Sequence, residues 1–241
     1  SLGYHGAAVL AARGAARARP GLVTLLTDPA VYGPVPGQLQ PAMVRPWDNC
    51  WPLPPSVTAL VAGPGLVAET LAPGLREQVV AWWRGSEKPM LVDASALAWL
   101  PRGRISSKAL RVITPHPGEA GRLLKMTTAA VMADRPGALS ALSREFGGCQ
   151  VVLKGHQTLI GGRTGRILVN SSGEAGLAQG GSGDLLAGYL GGLLAQPALQ
   201  MNPIRSLALG VWQHGTAADQ LGARSSAWAI EDLAESGGAH V

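Results

Sequence analysis

Cysteine is nearly absent from this sequence: Cys50 and Cys149 are the only two. That excludes a disulfide framework and a cysteine-based metal cluster, and Cys149, just ahead of an expected strand, reads as a small buried residue. Aromatic residues reach 5%, with a single phenylalanine, and charged residues 15%. Against 46% hydrophobic residues, so little charge excludes wholesale disorder and leaves ample apolar content for a core. Long hydrophobic runs are missing too. Leu185 to Ala195, the longest in the C-terminal half, is broken by glycine and too short to cross a bilayer. Residues 1–20 lack the apolar core of a secretion signal, so a cytoplasmic protein with no membrane partner is expected. Several sequence signatures are absent as well: Gly-x-x-x-x-Gly-Lys-Ser/Thr, a first-strand Gly-x-Gly-x-x-Gly, Gly-x-Ser-x-Gly and zinc-ligand spacing. A P-loop and an elbow serine nucleophile are thereby excluded, and no metal-ligating side chains are assigned.

What the sequence has in quantity is glycine (33) and proline (18), as in an α/β protein with working loops at its strand ends. The net charge of +5 raises a nucleic-acid partner as a possibility. The basic residues are scattered, however. Their densest groups are Arg13, Arg17 and Arg19, then Arg102, Arg104, Lys108 and Arg111, without the aromatic interleaving of a nucleic-acid surface. No nucleic-acid partner is expected.

Along the chain, helical spacing covers residues 6–19, 71–84, 119–125, 128–134, 137–146, 203–221 and 229–235. Short apolar strands are expected at 21–27, 57–62, 89–93, 110–114 and 150–154, and a hairpin at 158–162 and 165–170. Residues 29–55 hold eight prolines and read as loop or edge structure. Strands alternating with helices predict one α/β domain over 1–241, its mostly parallel sheet covered by helices on both faces. Ligands of such sheets sit at the carboxyl ends of the strands. The polar signals fall there: Gly63 to Gly65, Asp93, His116 to Glu119, Lys154-Gly155 and Gly180 to Asp184.

The last of these is the most telling. Gly180, Gly181, Ser182 and Gly183 turn straight into an apolar helix, whose first N–H groups have no partner within it. With the helix dipole, that turn is a natural phosphate seat. Asp184 at its mouth is either a helix cap or a base that takes a proton from a hydroxyl about to be phosphorylated. Pro115 and Pro117 hold His116 in an extended turn, which leaves either a rigid helix start or a presented imidazole. Lys154 is either a solvated strand-end lysine or a phosphate contact. His214, within an amphipathic helix, reads as an interfacial histidine.

Taken together, Tyr4 to Ala12 (YHGAAVLAA), Ala62 to Leu66 (AGPGL), Pro89 to Leu97 (PMLVDASAL), Ile113 to Glu119 (ITPHPGE), Val151 to Gly155 (VVLKG) and Gly176 to Gly188 (GLAQGGSGDLLAG) resemble the ADP- or ATP-dependent NAD(P)H-hydrate dehydratases. The resemblance runs in order over nearly the whole chain and implies a ribokinase-like fold. Its implied activity is phosphorylation of the ring hydroxyl of (S)-NAD(P)H hydrate from ADP or ATP, followed by loss of phosphate to regenerate NAD(P)H. It makes Asp184 the base and assigns Ala7, Gly65, His116 and Asp184 to the hydrate. Lys154, Gly155, His156, Gln157, Thr158, Gly180, Gly181, Ser182 and Gly183 fall to the nucleotide. It further implies Mg2+ with the nucleotide, a homotetramer, and an epimerase domain or protein as partner. The family carries a strand ahead of Tyr4, so that first strand is expected to be missing here. Asp93-Ala94-Ser95-Ala96-Leu97-Ala98 stands where the family usually has Asp-Ala-Asp-Ala-Leu-Asn, and Val67 where it has glycine. Two other readings stay open: a vitamin or sugar alcohol kinase of the same fold, and an inactive nucleotide-binding domain.

Overall fold

The computed structural model describes residues 1–67 and 71–236; residues 68–70 and 237–241 of the expected 1–241 domain lie outside the described residues. Alanine-rich sequence without an interior proline forms α1 (His5–Arg17), which stops before Pro20 as expected. Thr24–Thr27 (β1) then pairs in parallel with Met43–Pro46 (β2) in a small sheet of their own. The strand expected at 21–27 is thus shorter and lies outside the central sheet. The proline-rich stretch contributes β2, while Pro29 and Pro36 each open a 3-10 turn.

The central sheet has six strands: Leu60–Ala62 (β3), Met90–Val92 (β4), Arg111–Ile113 (β5), Gln150–Leu153 (β6), Leu159–Gly161 (β7) and Leu168–Val169 (β8), hydrogen-bonded in that order. The first four are parallel; β7 and β8 are antiparallel, as the expected hairpin requires. β3 and the first helix that packs on this sheet also start later than the sequence suggests. Val57 N–H bonds Pro54 O in a turn, which holds residues 57–59 off the ladder. Gly74 adopts φ 73°, so the helix expected from Leu71 begins only at Leu75 (α2, Leu75–Gly85).

Alternation along the strands builds two cores. Val92, Ile113, Val151 and Leu153 point to one face, against α2, α3 (Pro117–Leu124), α4 (Thr128–Ala133) and α5 (Arg135–Glu145). Leu91, Val112, Val152 and Ile160 point to the other, against α6 (Ser182–Leu194) and α8 (Pro203–Gly222), which the short α7 (Pro197–Gln200) joins. Ile230–Glu235 (α9) closes the described chain. Both faces are covered, as expected.

Small residues let α1 lie directly on α6. A Cβ on Gly188 would stand 1.8 Å from Ala11 O, one on Gly14 2.1 Å from Leu185 O, and one on Gly192 2.5 Å from Ala15 O. Residues 11 and 15 meet 188 and 192, so the two helices run parallel and present their N-termini at the same end of the molecule. The basic groups are also partly spent inside. Arg111 is buried and donates to the carbonyls of Trp82, Trp83 and Ser86 at the end of α2. Arg102 pairs with Glu145, and Arg17 donates to Leu233 O. Among the described residues, no helix is long and apolar enough to cross a membrane.

Candidate active site

Because β3 to β6 are parallel, the segments that follow them emerge along one edge of the sheet, and the start of α6 joins them there. Gly181, at φ 91°, is the N-cap of α6, and no side chain caps the helix. Asp184 is therefore the third residue of the helix, and the capping reading of its role is set aside. The uncapped N–H groups of the first turn are left for an acceptor outside the helix. A Cβ on Gly183 would lie 3.1 Å from Lys154 Nζ. That lysine, the residue after β6, thus aims its ammonium at the first turn of α6.

Lys154 is not a solvated strand-end lysine. Its side chain is 16% exposed and donates to Asp93 Oδ1 at 2.7 Å, with Glu119 Oε2 at 3.9 Å. Burial works against its charge, but the Asp93, Glu119 and Asp184 carboxylates outweigh that and raise its pKa. Asp184 shows the reverse balance. Burial first, then the Asp93 carboxylate, push it up to about 6 against the pull of Lys154, with Glu119 adding to the rise. A carboxylate poised near neutrality beside a fixed ammonium and free helix N–H groups can accept a proton while phosphoryl charge is held in place.

His116 makes the rigid helix start that its turn suggested. Its Nδ1 accepts from Gly118 N–H at 3.1 Å, while Glu119 Oε2 accepts from His116 N–H at 2.8 Å, a reciprocal start to α3. With Nδ1 accepting, Nε2 of the half-exposed imidazole carries the proton and lies 3.6 Å from Glu119 Oε1. The turn also touches the loop after β6, since Lys154 N–H bonds Pro115 O at 2.9 Å.

Residues 154–158 form a tight loop in which Gly155 and Gln157 take φ 130° and 54°. Thr158 is buried and donates its hydroxyl to Gly155 O within the loop, whereas Gly155, His156 and Gln157 are exposed. Arg135, at the start of α5, ties the loop down from below, donating to His156 O (2.7 Å), Gln157 O (3.1 Å) and Leu153 O (3.4 Å). On the other side, Gly65 and Ala7 are neighbours: a Cβ on Gly65 would stand 3.7 Å from the Ala7 Cβ and 2.7 Å from Tyr4 O. Leu10, one turn along α1, packs on Gly181, which links that pair to the phosphate seat. Gly180 is exposed, and Ser182 is buried with its Oγ 3.2 Å from His214 Nε2. His214 is interfacial, as read from the sequence; burial, then the Arg17 cation, hold it down at about 4 and hence neutral.

Asp93 and Glu119 were visible only as strand-end polar residues, without a role. Arg135 gave no local signal, because its partners lie 18 to 22 residues away.

The sequence model for NAD(P)H-hydrate dehydratase matches residues 1–236. The chain belongs to the NAD(P)H-hydrate dehydratase family. The chain is 41% identical over 169 residues to the ADP-dependent (S)-NAD(P)H-hydrate dehydratase of Neisseria meningitidis, covering 68% of this chain and 55% of that protein. To the bifunctional NAD(P)H-hydrate repair enzyme Nnr of Coxiella burnetii it is 37% identical over 222 residues, 90% of this chain and 43% of that one. The chain thus spans about half the length of these curated relatives. The ADP/ATP-dependent NAD(P)H-hydrate dehydratase of Bacillus subtilis, crystallised with ATP and Mg2+, superposes with a TM-score of 0.82 at 26% identity, over 98% of this chain and 83% of that one. The fold is therefore the ribokinase-like α/β fold that the sequence motifs imply.

Proposed function

We propose that this chain is an ADP-dependent (S)-NAD(P)H-hydrate dehydratase, a hydro-lyase that repairs hydrated nicotinamide nucleotides. The observation that carries the reading is the raised Asp184 carboxyl on the first turn of α6, facing the Lys154–Asp93 pair. Asp184 takes the proton of the ring hydroxyl; its oxygen bonds the terminal phosphorus of ADP, and the bond to AMP breaks. The ring C–O bond then breaks, phosphate leaves with the electron pair, and loss of a ring proton restores the C=C bond of NAD(P)H. The free N–H groups of Ser182, Gly183 and Asp184, with the Lys154 ammonium, hold the transferring phosphoryl group.

Residues 154–158 and 180–183 are assigned to the nucleotide. Ala7, Gly65, His116 and Asp184 are assigned to the hydrate. Among the described residues, no group of three His, Cys, Asp or Glu forms a metal cage. Mg2+ would be held by the nucleotide phosphates with Asp184 as the nearby carboxylate, since Asp93 and Glu119 face Lys154, and it would neutralise phosphate charge. The proposal extends to a single domain over 1–241, a cytoplasmic homotetramer and an epimerase partner, on the strength of the family.

The test is absorbance at 340 nm when protein, ADP and Mg2+ are added to hydrated NADH. Recovery of absorbance with one AMP formed per NADH supports the reading. Nucleotide binding without recovery contradicts it, as does turnover confined to ATP and a vitamin alcohol. The loop clamp adds a second expectation. Arg135→Ala frees two loop carbonyls and that of Leu153 and should raise the nucleotide KM about 10-fold with kcat changed less than about threefold, as steady-state kinetics would show.

A further inference from the structure

Behind the phosphate seat, Ser182 and His214 form a polar contact that the reaction described above leaves unused. Ser182 is the first residue of α6, so its hydroxyl stands beside the N–H groups assigned to phosphate. Its Oγ lies 3.2 Å from His214 Nε2 on α8. His214 also lines a chamber of about 20 Å3 between α1, α6 and α8, shared with Arg17, Tyr189 and Gln213. That volume holds about one water. Tyr189 commits its proton to Gln213 Oε1 at 2.7 Å, and Arg17 has only donors to offer.

The ring and the hydroxyl constrain one another. Serine has a single proton to give, and phosphate oxygens only accept. If the imidazole takes the Ser182 proton, the hydroxyl has none left for phosphate. If the imidazole donates Nε2–H to Ser182 Oγ, the serine proton is free to point at the seat. Only the second arrangement gives the seat a hydroxyl donor.

We infer that His214 is a positioning residue for phosphoryl transfer, donating Nε2–H to Ser182 Oγ so that the serine hydroxyl donates to the transferring phosphoryl group. The inference rests on the phosphoryl-transfer reading above and adds Ser182–His214 to it as a coupled pair. Its signature is loss of rate through one shared hydroxyl, without loss of nucleotide affinity.

The experiment is a double-mutant cycle on kcat with hydrated NADH, ADP and Mg2+, together with 15N spectra of the His214 ring. Ser182→Ala should lower kcat about 10- to 100-fold, and His214→Leu about 5- to 20-fold with the nucleotide KM within about twofold. In the Ser182→Ala background, His214→Leu should cost less than about twofold more. His214→Gln, whose amide N–H can reach the same oxygen, should keep most of the rate and serves if the leucine variant does not fold. An equal cost of His214 replacement in both backgrounds would overturn the inference, as would a cost seen in KM alone. The ring spectrum should show the Nε2–H tautomer in the wild-type protein, and the Nδ1–H tautomer would overturn the inference. Since that spectrum needs no turnover, it decides the point even if hydrated NADH proves not to be the substrate, an outcome that counts against the functional reading instead.

Discussion

Asp184→Asn should lower turnover of hydrated NAD(P)H at least about 1,000-fold while leaving the nucleotide dissociation constant within about threefold. The substitution keeps the size of the side chain and its place in the first turn of α6, so the free N–H groups and Lys154 still meet the phosphates. It removes the acceptor for the hydroxyl proton. The same variant should be more stable than the parent at high pH. In the folded chain the carboxyl is raised from 3.8 to about 6, so the folded state holds its proton more tightly than the unfolded one. Stability from this group is full below about 3.8, declines as pH rises towards about 6, and is lost above it. Asparagine carries no such penalty. Denaturant melts should therefore favour the variant by about 1–2 kcal/mol at pH 8 and show no gain near pH 3.5. That range discounts the full shift, because Asp184 retains some exposure to water. A catalytic group that destabilises its own fold is the pattern expected of a working site.

Gly188→Val should destabilise the protein by more than about 4 kcal/mol, or prevent folding. The Cβ position at residue 188 lies 1.8 Å from Ala11 O, where a carbon and an oxygen need about 3.3 Å. Neither atom is the end of a flexible side chain, so α1 must leave α6. Movement of α1 would carry Ala7 away from Gly65 and Leu10 away from Gly181, so folded material should also lose activity. Gly6→Ala is the control. Gly6 is an exposed residue of α1 with nothing within 4 Å of its Cβ position, and alanine there should be neutral or stabilising by up to about 1 kcal/mol. Urea denaturation of the two variants measures the contrast.

Much of this site was legible because its signals are local. Pro115 and Pro117 announce the turn that holds His116, and the 180–183 turn announces the start of α6. The strand-end position of Asp93 and Lys154 follows from apolar runs that stop at a charged residue. Their 2.7 Å pairing did not follow, since it depends on two strands separated by β5 in the sheet and by 61 residues in the chain. Arg135 and His214 were beyond local reach for the same reason, because each acts on a segment brought in by tertiary packing. Strand starts were set too early at 21–27 and 57–62 because residues such as Leu22, Val23 and Val57 continue the apolar run ahead of the first ladder residue. The small β1–β2 sheet was obscured by proline, which is tolerated on edge strands such as β2.

The most direct measurement is the pH dependence of kcat/KM for hydrated NADH between pH 4.5 and 8, at saturating ADP and Mg2+. A base at the head of α6, raised by burial and by Asp93, predicts a rising limb with an apparent midpoint of about 6. A rate that is flat across this range, or a limb already complete below about pH 4.5, would mean that no raised carboxylate at the head of α6 removes the proton.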